Sequence, residues 1–341
     1  MSAYTLHSST GSAMVDGVLL AIVGRYERAF PGLIRAYFVI GSYADASMVP
    51  ISDLDLMIMF ATPLMSSQLE LAHALIQQCA ETSPLRLDIG LTLQEDLSGA
   101  EQVLLKLGSR LVYGEDVRDQ LALPPLAQYR RDVTWSPYRF LGQVMRDQQA
   151  LAYPLAYPDA DDPFYGYATK RLAAWYPAAT TQGTKELITG VTRTATALLA
   201  LRAGQYAGTK SASIRLYREH IGDEWAEYLE SLYRKGKDEW QYAIPSASAD
   251  QRLLRDLCRQ TLAFENHYFQ HYRTYLLDLL QGTDDERLFA AQRLTQVLYA
   301  DAEVMGRLQT NMEAANAEVR AASAQALAQS AQAQKVFRKD T

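Results

Sequence analysis

The chain has 341 residues, with 33 basic and 39 acidic side chains and a formal net charge of −6, which excludes a protein built to coat nucleic acid. With 48% hydrophobic residues, 21% charged residues and only 19 glycines and 12 prolines, wholesale disorder is excluded as well. The length suggests two domains.

Cys79 and Cys258 stand far apart and form no CxxC or Cys/His cluster, so a disulfide framework or zinc site is not expected and a reducing compartment fits. No apolar run approaches the ~18 residues of a membrane span. The first ten residues hold no lysine or arginine and lead into no apolar core, so no secretion signal is read. The expected location is cytoplasmic, with no membrane partner.

In chain order, an amphipathic stretch ends near Phe30 and is broken by Pro31-Gly32. Residues 34–40 read as a short buried strand, interrupted by the turn residues Gly41-Ser42. Residues 53–60 and 85–93 alternate with period two and are expected as strands, while residues 67–81 between them have helical spacing. A helix over 97–107 and a short segment at 110–113 complete an α/β unit, and Pro124-Pro125 punctuates its end. From about Trp135 the pattern becomes helix after helix, with breaks near Pro177, Gly204, Gly222, Gly236, Pro245 and Gly282, and no strand is expected there. The last thirty residues are rich in Ala and Gln, which favour helix but offer little to a core; a packed helix near Glu313 and a frayed tail beyond it are expected. The fold class is therefore α+β: a small mixed sheet with helices over 1–122, then an all-helical domain over 123–341.

The chemistry concentrates in Gly41-Ser42, Asp53-Leu54-Asp55 and Asp88. Alternate strand residues share a face, so Asp53 and Asp55 project together, opposite Leu54, Leu56 and Ile58. Asp88 sits mid-strand with leucines and isoleucine pointing the other way; if the two strands pair, three carboxylates converge. Such a group repels itself unless a cation relieves it, and hard oxygen ligands select magnesium, completed by waters and substrate phosphates. A glycine and a serine between strand and turn let backbone amides approach a phosphate. These are the parts of a phosphoryl or nucleotidyl transfer site.

The pattern Gly41-Ser42, ten intervening residues, Asp53-x-Asp55 and a later Asp88 resembles the signature of the polymerase-beta-like nucleotidyltransferase superfamily, over roughly residues 34–93; LVYGEDV at 111–117 looks like the end of that domain. A second resemblance, to bacterial aminoglycoside adenylyltransferases, lies in Arg193, Gly204 and Lys210, although the spacings are slightly longer than in that family and Arg202 competes with Arg193. The resemblance implies ATP as nucleotide donor, Mg2+ held by Asp53, Asp55 and Asp88, Gly41, Ser42, Arg193 and Lys210 on the triphosphate, and AMP transfer to a hydroxyl of a small-molecule acceptor such as an aminoglycoside-type antibiotic, hence antibiotic resistance. In the streptomycin-type relatives the third acidic position is a glutamate thought to act as base; here it is Asp88. Two alternatives stand beside this reading: nucleotidylation of a protein or RNA, as in toxin systems, and a non-catalytic nucleotide-binding module.

Charge supports the second half independently. Residues 170–218 contain eight basic side chains, Lys170, Arg171, Lys185, Arg193, Arg202, Lys210, Arg215 and Arg218, against the single acid Glu186. Lys210 falls at a helix start, where free amides also favour an anion. Asp159, Asp161 and Asp162, near Tyr157 and Phe164, form either a solvated turn or a rim for a polycationic acceptor. His267 and His271 lie one helical turn apart among aromatic residues and read as a packing face in preference to a metal site. The four tryptophans, Trp135, Trp175, Trp225 and Trp240, read as helix packing. Oligomeric state is left open by the sequence.

Overall fold

A computed structural model describes residues 4–168 and 183–337. The chain divides into two compact units, Met1–Asp132 with Gln205–Glu219, and Val133–Gly204 with His220–Thr341. The expected boundary at 122/123 lies inside the first unit, which also takes back fifteen residues from the helical half.

The first unit is built on a four-stranded sheet of order β3-β2-β1-β4. It contains α1 (Ala13–Ala29), β1 (Ile34–Ile40), β2 (Leu54–Phe60), α2 (Ser66–Thr82), β3 (Leu87–Leu93), α3 (Gly99–Gly108) and β4 (Ser109–Gly114), and α4 (Leu126–Arg139) leads out of it. β1 is antiparallel to both β2 and β4, whereas β2 and β3 are parallel. That last pairing needs a crossover, which α2 supplies. Ser12 caps α1 by accepting from the Val15 amide, and Val15, Leu19, Ile22, Val23 and Tyr26 recur at helical spacing to bury one stripe. That stripe, with Ala72 and Cys79 of α2, covers Tyr37, Val39, Leu54, Leu56, Ile58 and Ile89 on one face of the sheet. The other face, Ala36, Phe38 and Met59, packs on Leu97, Leu105 of α3, Val117 and Leu121. Alternation along β2 thus gives both faces a core, but α3 covers only the Met57–Met59 end of the second face.

The second unit holds β5 (Leu151–Tyr153), α5 (Lys185–Leu198), the start of which follows residues outside the description, then, after α6 (Lys210–His220), α7 (Trp225–Tyr233), α8 (Ser248–Leu279), α9 (Asp284–Leu294), β6 (Val297–Tyr299), α10 (Ala302–Asn311) and α11 (Ala317–Phe337). The second half is helical as expected, with one departure from an all-helical domain: β5 and β6 form a parallel two-stranded sheet. Three residues each are too few to reveal a period-two pattern. α8 is the axis of the unit, burying Leu254, Leu257, Thr261, Phe264, Tyr268, Tyr272 and Leu276. The Ala- and Gln-rich end is likewise not a frayed tail over its described part. Val319, Ser323, Ala326 and Ser330, spaced four, three and four apart, are buried in α11, so small residues pack close where large ones are lacking. No described helix is long and apolar enough to cross a membrane.

Candidate active site

Strand pairing brings the acids to one surface. Asp55 is in register with Asp88 on β3 and, on its other side, with Ile40, the last residue of β1. Asp53 stands two residues before Asp55, just ahead of the first ladder residue of β2, and so shares its face. Because α3 stops short of this end of the sheet, Asp53 and Asp55 stay half-buried and Asp88 is exposed. Gly90, next on the same face of β3, would project a Cβ into open space. The floor beside Asp88 is therefore bare. Tyr43 lies beneath: burial first, then the charge of Asp53, raises its phenol pKa.

The expected convergence of three carboxylates is only partly realised, since no three His, Cys, Asp or Glu side chains among the described residues are grouped to hold a metal ion. β3 is the edge strand of the sheet, and Asp88 on it is exposed while remaining in register with Asp55. A magnesium ion, however, characteristically takes one or two carboxylates and fills its octahedron with waters and substrate phosphate oxygens. Asp53 and Asp55, adjacent on one strand face, are a donor set that fits it.

Gly41 follows β1 directly and has φ +66, a left-handed conformation that glycine adopts without strain. An added Cβ there would stand 2.7 Å from Asp55 Oδ2. The chain then curls through Ser42 and Tyr43, with the Ala44 amide donating to Gly41 O at 3.1 Å and the Ser47 amide to Ser42 O at 2.9 Å. Asp45 completes this loop, accepting at Oδ1 from the Ser47 amide and hydroxyl.

The segment returning from the helical half is seated against this unit at several points. Tyr206 donates to Pro124 O at 2.7 Å, and its ring lies 4.7 Å from that of Tyr129, whose hydroxyl accepts from the Ala207 amide. Gly208 meets Gly108 backbone to backbone: a Cβ on Gly208 would stand 2.5 Å from Gly108 N. Thr209 caps α6, accepting at Oγ1 from the Ala212 amide, and Lys210 is the first residue of that helix. Ser211 donates to Asp45 Oδ2 at 2.5 Å. Lys210 thus belongs to the same compact unit as the acids. The bond between Asp45 and Ser211 was invisible in the sequence, although an acid four residues after Gly41 and a Thr-x-Ser pattern after Gly208 were the available signals.

Arg193 is in the other unit, on α5. It donates to Ser136 Oγ and its guanidinium lies 5.5 Å from the centre of the Phe140 ring. Arg202 pairs with Asp223. Lys170, Arg171, Trp175 and Pro177 lie outside the described residues. The acidic loop at 159–162 turns carboxylates onto its own backbone: Asp159 accepts from the Asp161 amide and Asp162 from those of Phe164 and Gly166. His267 packs with Phe264, Trp225 and His271, and Trp135 stacks on Tyr138 under Arg293, as a packing role requires.

No family model matches the chain, and no curated protein matches it. Among solved structures it is similar to the spectinomycin adenyltransferase AAD(9) from Enterococcus faecialis, determined with ATP and spectinomycin, at 11% sequence identity, covering 73% of this chain and 97% of that one with a TM-score of 0.42.

Proposed function

We propose that this protein is a magnesium-dependent nucleotidyltransferase that moves AMP from ATP onto a hydroxyl of a small acceptor. One observation carries the reading: Asp55 leaves β2 near its uncovered end, with Asp53 just ahead of that strand, and the Asp55 carboxylate is packed against the left-handed Gly41 of the turn that follows β1. Carboxylates beside a glycine turn suit a magnesium-bound polyphosphate. The Gly41-Ser42 pattern with Asp53-x-Asp55 and Asp88, which resembles the nucleotidyltransferase signature, supports the same reading.

In this proposal Asp53 and Asp55 hold magnesium, which when bound neutralises charge on the phosphates. Gly41 and Ser42 lie along the triphosphate, and Lys210, at the positive end of the α6 dipole, attracts it. Arg193 is proposed as a nucleotide-binding residue on the resemblance to the adenylyltransferases alone. Asp88, exposed and in register with Asp55, takes the proton from the acceptor hydroxyl as its oxygen bonds the α-phosphorus and the bond to the pyrophosphate oxygen breaks. The open surface at Gly90 leaves room for the acceptor, for which an aminoglycoside-type antibiotic is the proposed class, with resistance as the outcome. A cytoplasmic location suits ATP as donor and the two free, buried cysteines.

The test is incubation with labelled ATP, magnesium and an acceptor panel. Labelled product and pyrophosphate are expected from the wild type and from neither Asp53→Ala nor Asp55→Ala; product surviving both substitutions sinks the assignment. Label appearing on a protein or RNA of a lysate and on no small molecule would move the proposal to a macromolecular acceptor.

A further inference from the structure

Hydrogen bonds run without a break from the turn after β1 to the cap of α6. The Asp45 amide donates to Gly41 O at 3.4 Å, Asp45 Oδ2 accepts from Ser211 Oγ at 2.5 Å, Ser211 Oγ meets Thr209 Oγ1 at 2.9 Å, and Thr209 Oγ1 accepts from the Ala212 amide at 3.1 Å. The residues joined are 166 positions apart in the chain. Asp45 is the hub. Its other oxygen is engaged by the Ser47 amide and hydroxyl, so both carboxylate oxygens accept from protein donors.

We propose that Asp45 is the positioning residue of the nucleotide site, acting through Ser211 to hold the first turn of α6, and Lys210 with it, in register with the Gly41-Ser42 turn. The inference rests on the nucleotidyltransferase reading and deepens it. Its logic is geometric. The Gly41 turn is a continuation of β1 and moves with the sheet, whereas α6 arrives on a segment held at Tyr206, Ala207 and Gly208 and then buries Ser213, Ile214 and Tyr217, so Ser211 lies between these two sets of contacts at the first turn. The charged hydrogen bond from Ser211 ties the first turn of the helix directly to the phosphate-side loop. Charge-assisted bonds of this kind are short and directional, which suits a role in alignment. A lysine on a long stem acts on phosphate as a point charge, so its value there depends on where the helix start is held.

The experiment measures Kd for ATP with magnesium by calorimetry and KM and kcat by pyrophosphate release, for wild type, Asp45→Ala, Asp45→Asn, Ser211→Ala and the Asp45→Ala/Ser211→Ala double variant. Expected are a Kd and an ATP KM raised about tenfold in Asp45→Ala and in Ser211→Ala with kcat within about twofold, recovery of most of the loss in Asp45→Asn, which keeps an acceptor for Ser211, and no additional loss in the double variant, because each single change already breaks the same Asp45–Ser211 bond. Asp45→Ala and Ser211→Ala that both bind ATP like wild type overturn the inference and leave the function standing, as do losses that add in the double variant. Should Asp45→Ala fail to fold, Ser211→Ala with Asp45→Asn decides the matter alone. A wild type that neither binds ATP nor releases pyrophosphate overturns the function and this inference together.

Discussion

Gly41 and Asp55 approach so closely that a Cβ on Gly41 would stand 2.7 Å from the Asp55 carboxylate. Backbone conformation and contact make the same demand, since Gly41 has φ +66. Gly41→Ala is expected to cost about 1–2 kcal/mol in backbone strain and to turn the Asp55 carboxylate aside, lowering transfer at least tenfold. Thermal unfolding should register only a few degrees, as about 1 kcal/mol moves Tm by roughly 2–4 °C in a chain of this size; an Ala variant with full activity would refute the role given to this contact.

Gly208 and Gly108 make the second close approach, backbone against backbone. Gly208→Ala has no flexible side chain to displace, so the segment carrying Lys210 must lift. A destabilisation of about 1–3 kcal/mol and weakened ATP binding are expected together, read by urea unfolding and calorimetry. Gly17→Ala, in α1 with open space around it, is the control and should be neutral or slightly stabilising.

Gly90 offers the opposite case, open space on the face of β3 beside Asp88. Gly90→Val suits a strand and should leave stability unchanged or raise it by up to about 1 kcal/mol. Two methyl groups on the bare floor are expected to raise the acceptor KM several-fold without changing the ATP KM. Equal effects on both substrates would place the acceptor elsewhere.

In the helical unit Arg146 donates to Glu265 at 2.6 Å with both side chains buried, and Tyr167 donates to the same oxygen at 2.8 Å. Burial pushes the Glu265 pKa up, against the pull of Arg146. Glu265→Leu would strand the guanidinium and should cost about 3–5 kcal/mol, whereas Arg146→Met with Glu265→Leu should recover much of it. Chemical denaturation of the single and double variants checks this.

His267 and His271 govern the mild-acid side. Burial lowers both pKa values; Arg202 adds to the depression and Asp223 opposes it, Glu224 also opposes it at His267, and at His271 the neighbouring His267 lowers it further. A histidine held neutral in the fold but protonated near pH 6.5 when unfolded contributes stability that is present above about pH 6.5 and lost as pH falls through its folded value. The unfolding free energy should therefore decline from about pH 6.5 downward, and His267→Gln with His271→Gln should flatten that slope. An unchanged slope would assign the acid sensitivity to other groups.

Much of the first unit was legible because its periodicities are strong. Alternation over residues 53–60 and 85–93 marks two strands, observed at Leu54–Phe60 and Leu87–Leu93, but that these two pair, with Asp55 opposite Asp88, came from the structure. The short strands Leu151–Tyr153 and Val297–Tyr299 carry no such signal, and the buried stripe Val319, Ser323, Ala326 and Ser330 hides in a composition that looks like a tail.

What the sequence determined by itself was the residue inventory and its local phase: which strand residues share a face, that Gly41 and Ser42 punctuate β1, and that Lys210 opens a helix. Only the tertiary structure decided that residues 205–219 return to the acid-bearing unit while Arg193 stays in the other, that Asp45 is bonded to Ser211, and that β2 and β3 pair so as to set Asp88 in register with Asp55. The reason is physical. Local phase depends on backbone periods of two and 3.6 residues, which a few consecutive side chains reveal, whereas a contact between residues 166 positions apart depends on the packing of everything between them.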